Sequence, residues 1–170
     1  LNYGGYTTAV SVNLQTSAAT GINGGSMAGF SNIDSIAGGS AADTLTGPDT
    51  DPTNWTITDS EEGNVASVAF SEFESLNGGS GDDNFAFNDG VTLDFAIDGG
   101  AESTADTVTF AASASGVSVD VSLLSGIETL TGSGNDDTLV GTSGNDVFDV
   151  TAANAGTINT DTAFTSFENL

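Results

Sequence analysis

Residues 124–149 read LSGIETLTGSGNDDTLVGTSGNDVFD, an apolar segment followed by two turns rich in glycine and acid. The turns are Gly132-Ser-Gly-Asn135-Asp136-Asp137-Thr-Leu139-Val and Gly141-Thr-Ser-Gly144-Asn145-Asp146-Val-Phe148-Asp. Glycine, aspartate and a large apolar residue each recur nine positions later. A fuller form, Gly78-Gly79-Ser-Gly81-Asp82-Asp83-Asn-Phe85-Ala, stands upstream, with a weaker one at Gly38-Gly39-Ser-Ala-Ala-Asp43-Thr-Leu45-Thr. Glycine permits the left-handed backbone of a tight turn, and the turn exposes carbonyl oxygens. The aspartate adds an anionic oxygen, and the apolar residue starts a strand pointing inward. Oxygen-only donors on a flexible loop suit calcium better than zinc or copper.

These nonapeptides resemble the RTX-type calcium-binding repeats, GGxGxDxUx with U a large apolar residue. The resemblance implies turns that stack, each Ca²⁺ held between one coil and the next. It designates Asp43, Gly81, Asp82, Asp83, Asn135, Asp136, Asp137, Gly144, Asn145 and Asp146 as metal-site residues. Only the turn at Gly78 carries every motif position. Those at Gly132 and Gly141 each lack a glycine, and Ala41 replaces one in the turn at Gly38. The plainer reading of the same residues is a set of glycine turns between strands, with surface acids and no bound metal.

The composition narrows the partners. The 170 residues contain no Lys, Arg or His against 24 Asp and Glu, a formal net charge of −24. No carboxylate can pair with a cationic side chain, so each must be hydrated, capped by backbone N–H, or neutralised by cations. A field this negative repels nucleic acid and anionic membrane surfaces. The lack of Cys removes disulfides, thiol catalysis and soft metal sites. No stretch approaches the roughly 18 apolar residues of a membrane-spanning helix, so no membrane insertion is expected. Leu1-Asn-Tyr-Gly-Gly-Tyr is no signal peptide and the sequence does not start with Met, so it reads as an interior piece of a longer chain.

Catalysis is poorly provided for. A Ser or Thr nucleophile has no His or Lys base, and oxyanion or phosphate chemistry has no Arg or Lys. Neighbouring acids such as Asp82 with Asp83, or Asp136 with Asp137, leave glycoside acid/base chemistry in principle, but the glycines around them describe a turn. The chain is expected not to be an enzyme.

Alternation of apolar and polar residues marks strands at Val10–Leu14, Val91–Ile97 and Val117–Val121, and shorter ones at Trp55–Ile57, Val108–Phe110 and Phe148–Val150. No window shows a helical period. A heptapeptide recurs at Phe30–Ile36, Phe70–Leu76, Leu124–Leu130 and Phe164–Leu170, placing Asp34, Glu74, Glu128 and Glu168 at one position. Those acids read either as a ladder on one face or as turn caps. Phe30, Phe70, Phe73, Phe164 and Phe167 read as core aromatics before a carbohydrate platform.

The heptapeptide spacing predicts a single repetitive segment over 1–170, with superrepeat copies at approximately 1–107 and 108–170, the second incomplete. Residues 15–29 and 101–105 are expected as insertions bulging from turns. Turn clusters about every 16 to 23 residues suit an all-β, parallel β-solenoid of β-helix or β-roll type with coils of about 20 residues. A pair of β-sandwich domains of about 90 residues is the rival.

The pattern FSxFESLxGGSGDDxF resembles the repeats of long bacterial surface and biofilm-matrix proteins. That resemblance implies a secreted or cell-surface location and a calcium-stabilised structural segment of a fibre, sheath, surface layer or adhesin stalk. A second reading is a calcium-dependent adhesin module whose ladders recognise carbohydrate, ice or another cell, and a third is the calcium-binding tail of an exported enzyme. Expected partners are another copy stacked head to tail or the continuation of the same long chain, with glycans or surface polysaccharide on the outward Ser and Thr.

Overall fold

The computed structural model of the chain describes residues 1–22, 29–100 and 105–170. Residues 23–28 of the insertion expected at 15–29, and 101–104 of the one expected at 101–105, lie outside the described residues. Among the described residues the regular structure is all strand, apart from one 3-10 turn at Val121–Leu123. The first nine strands are β1 Ser11–Asn13, β2 Ala18–Ala19, β3 Ser35–Ala37, β4 Thr44–Thr46, β5 Thr53–Asp59, β6 Glu62–Val65, β7 Val68–Ser71, β8 Ser75–Gly79 and β9 Asp83–Phe87. The others are β10 Ala96–Gly100, β11 Thr107–Thr109, β12 Ser118–Asp120, β13 Leu124–Ser125, β14 Thr129–Thr131, β15 Thr138–Val140, β16 Phe148–Ala152, β17 Ala155–Ile158 and β18 Thr162–Thr165.

Parallel pairing dominates the middle of both large sheets. In the six-stranded sheet β1, β4, β8, β10 and β13 run in parallel, stacking Val12, Leu45, Leu76, Ile97 and Leu124 in one column. In the ten-stranded sheet β5, β9, β11, β14 and β18 do the same with Trp55, Phe85, Val108, Leu130 and Phe164. From β8 to β11 successive strands belong to the two sheets alternately, so the chain returns to a column after 21 residues from Leu76 to Ile97, and 23 from Phe85 to Val108.

All members of both columns except the half-buried Leu124 are buried, and rings of adjacent layers stack. Trp55 stacks on Phe85 at 5.2 Å between centroids, and Phe87 on Phe110 at 4.4 Å. Fully burying each such side chain contributes about 1.5–3 kcal/mol, so identical register in every layer is what the core selects: a one-residue slip would turn a whole column to solvent. Phe70, Phe73, Phe164 and Phe167 join this core and Phe30 packs against it, so these rings are not a surface platform.

The expected ladder of parallel strands is interrupted, and the sheets are mixed and do not close. β5–β6–β7 and β16–β17–β18 are antiparallel meanders. In the first, Ala66 and Ser67 both hold positive φ, 49° and 67°, in the two-residue link between β6 and β7, the geometry that matches the twist of a hairpin. Neither residue type advertises that conformation. The strand expected at Val91–Ile97 begins only at Ala96; Val91, Leu93 and Phe95 are buried alternately without entering a ladder.

Candidate calcium-binding turns and the buried aspartates

The nonapeptide aspartates start strands and sit between layers. Asp43, Asp83 and Asp137 are fully buried at the entry to β4, β9 and β15. In a chain without cationic side chains a buried carboxylate needs N–H or O–H donors, and each has them. Asp43 accepts from Val10 N at 2.7 Å through Oδ1 and from Gly39 N through Oδ2. Asp137 accepts from Val117 N at 2.7 Å and from the Ser133 hydroxyl at 2.8 Å through Oδ1, and from Ser133 N through Oδ2. Asp83 Oδ1 accepts from the indole N–H of Trp55 at 2.9 Å.

These carboxylates also link layers in sequence. The backbone N–H of Asp43 donates to Glu74 Oε2 at 2.7 Å, and that of Asp137 to Glu168 Oε2 at 2.8 Å. Asp106 N donates to Glu128 Oε2 at 2.9 Å. Three of the four heptapeptide acids are therefore caps for the turn of the adjoining layer, while Asp34 is exposed. Hydrogen bonds with one charged partner are worth about 1.5–3 kcal/mol, roughly twice a neutral one. Each of the three accepts at least one bond from a residue 20 to 33 positions away, so the stack holds the turns together with the local donors Gly39 and Ser133.

The first glycine of each turn has a steric cause. A Cβ on Gly132 would fall well inside contact of the Ser166 carbonyl oxygen and the Asp137 carboxylate, and one on Gly78 would meet the Gly99 carbonyl and Asp83. At both positions the neighbouring layer occupies the place of the side chain, whereas at Gly141 the Asp146 carboxylate of the same turn does.

Asp106 belongs to this set and escaped the sequence reading. It is buried, starts β11 and follows Gly99-Gly100, but seven positions separate Gly99 from it against five between Gly78 and Asp83. The signal that would find it is the Gly-Gly pair with Asp-x-apolar downstream at variable distance. Thr53 fills a comparable place as the first residue of β5, its buried hydroxyl within hydrogen-bond distance of the carbonyls of Pro48 and Thr50.

Other designated residues face outward. Asn135, Asp136, Gly144 and Asn145 are exposed, while Gly81, Asp82 and Asp146 are half-buried. Asp82 Oδ1 accepts from Ala105 N at 3.1 Å. Asp146 accepts from Asn159 Nδ2 at 2.8 Å and Thr142 Oγ1 at 2.9 Å, and the Asn159 bond in particular holds its carboxyl below the usual carboxylate range. Among the described residues no three carboxylates converge on one point. The donor set fits calcium in chemistry, being oxygen throughout and anionic; the designated side-chain oxygens that are not buried are those of Asp82, Asn135, Asp136, Asn145 and Asp146.

The family model for the RTX calcium-binding nonapeptide repeat matches in four copies, over residues 29–47 and 124–154, together less than a third of the chain. The matched residues hold the turns of Asp43, Asp137 and Asp146; the fuller motif at Gly78 lies outside them. The chain thus carries RTX repeats, which are calcium-binding, non-catalytic elements typical of secreted proteins. No helix among the described residues is long and apolar enough to cross a membrane. No curated protein and no solved structure matches the chain.

Proposed function

We propose that the chain is a calcium-stabilised structural segment of an extracellular fibre, sheath, surface layer or adhesin stalk, a parallel β-solenoid interrupted by two meanders. The observation that carries this reading is the in-register parallel stack of both columns, tied layer to layer by the aspartate and glutamate caps. A stack of this kind extends by adding layers, so its partner is another copy placed head to tail or further layers of the same long chain. Calcium, when bound at Asp136, Asn135, Asn145 and Asp146, and at Asp82 beside Gly81, supplies positive charge to a surface that has none in its side chains. The test is calorimetric titration of Ca²⁺ into the folded chain. Saturable heat in the micromolar to millimolar range of extracellular sites supports the reading, and its absence removes calcium from it.

A binding module is the second reading, favoured by the outward rows of the ten-stranded sheet. Thr56, Ala86, Thr109, Thr131 and Thr165 stand in register, beside Asn54, Asn84, Thr107 and Thr129. Such a flat hydroxyl and amide array suits carbohydrate or ordered water. Retention of the chain on immobilised polysaccharide, lost on Thr109→Lys with Thr131→Lys, would put this reading ahead.

A further inference from the structure

The two meanders share one pairing scheme. In the first, Trp55 lies opposite Val65 and Ile57 opposite Gly63, with a bulge before Asp59 meets Glu62; Gly63 then faces Phe70. In the second, Phe148 lies opposite Ile158 and Val150 opposite Gly156, with a bulge before Ala152 meets Ala155; Gly156 then faces Phe164. Phe148 and Val150 therefore hold the places of Trp55 and Ile57.

What differs is the other edge of the first strand. β5 pairs there in parallel with β9, which sets Trp55 against Phe85 and Ile57 against Phe87, and both β5 residues are 0% exposed. β16 ends its sheet among the described strands, leaving Val150 57% exposed and Phe148 half-buried. The same contrast separates Leu76, 0% exposed beneath Ile97 of β10, from Leu170, 52% exposed. An open strand edge with inward-type apolar residues is a template for an added strand.

We infer that the free edge of β16, with Phe148, Val150 and Leu170, is a docking face for a parallel Asp-x-aromatic-x-aromatic strand preceded by a glycine turn, the kind that residues 78–99 lay over β5 and β8. The incoming segment places its two aromatics over Phe148 and Val150, as Phe85 and Phe87 cover Trp55 and Ile57. Residues 78–99 carry five aspartates, so such a partner is acidic and meets an acidic chain. Apolar burial and backbone pairing drive this contact against charge repulsion, and raising salt strengthens it by screening. A basic partner would show the opposite salt dependence. The inference rests on the stacked-segment reading and not on calcium, whose titration above is independent of it.

The test uses a fluorescently labelled synthetic peptide with the sequence of residues 78–99, titrated with the chain and read by anisotropy at low and high NaCl. The expected result is saturable binding that tightens as NaCl rises, weakens at least tenfold with Val150→Asn, and vanishes when Phe85 and Phe87 of the peptide are both replaced by Ser. Val150 is exposed, so the variant should melt as the parent chain does. No saturable binding, or binding indifferent to Val150→Asn, overturns the inference. Sedimentation provides the other arm: dimers abolished by Val150→Asn, with no peptide binding, assign the edge to a second copy and overturn the inference while leaving the stacked-segment reading intact.

Discussion

The backbone N–H of Asp83 donates to Oδ1 of Asp106 at 2.7 Å across 23 residues of chain. One aspartate thus caps the turn of another in the layer beneath, and Asp106 passes its own N–H to Glu128. In a protein without a single cationic side chain, backbone N–H groups take the role of counter-charge. Replacing Asp106 by Ala leaves a buried N–H without its acceptor, a loss of about 1–3 kcal/mol. Urea unfolding should show a lower midpoint for Asp106→Ala, with Asp106→Asn, which keeps an acceptor oxygen, closer to the parent. Equal midpoints for the parent and both variants would deny the cap any weight.

Glycine at position 132 is demanded by the neighbouring layer, not by turn conformation alone. Gly132→Ala forces the Ser166 carbonyl or the Asp137 carboxylate to move, and overpacking of this kind costs about 1–3 kcal/mol. Gly134→Ala, two residues on in open space, should change the melting temperature by far less. Comparable melting losses in the two variants would mean that the layers do not press on Gly132 as described.

Two carboxyls should titrate in opposite directions from the ordinary range. Hydrogen bonds from Asn159 and Thr142 lower the pKa of Asp146, so its contribution to stability is present above the unfolded pKa and is lost as pH falls through the folded one. Glu61 is raised, chiefly by partial burial and then by Glu74, Asp94 and Glu72, so its ionisation opposes folding and protonation relieves it as pH falls. Carboxyl carbon NMR titration should place the Asp146 midpoint below, and the Glu61 midpoint above, those of free model peptides. Removing the donor with Asn159→Ala should bring Asp146 back toward the ordinary carboxylate range.

The strand class was legible because alternation survives in short pieces: Trp55, Ile57, Val117 and Val119 all face the core as their spacing requires. What the buried aspartates do was not. Asp-x-apolar after a glycine turn reads the same whether the carboxylate meets an ion or an N–H, and the deciding donors, such as Val10 N for Asp43, come from another layer. Asp106 was hidden by two additional residues in its turn. The β6–β7 hairpin was hidden because Ala66 and Ser67 adopt positive φ without being glycine or asparagine, whereas the second meander has Asn154 and Asn159 at positive φ in its links.

Calcium stabilisation of the stack is most directly tested by thermal unfolding, followed by circular dichroism, of the chain stripped of divalent ions and returned to CaCl₂ or to NaCl at matched ionic strength. Screening alone relieves the mutual repulsion of the carboxylates with either salt, whereas a site-bound ion adds stability in proportion to its occupancy. The melting temperature should be higher in CaCl₂, by several degrees at saturation, with the excess reduced in a chain carrying both Asp136→Asn and Asp146→Asn. A melting temperature restored equally by NaCl, and unmoved by those two substitutions, would contradict calcium stabilisation of the stack.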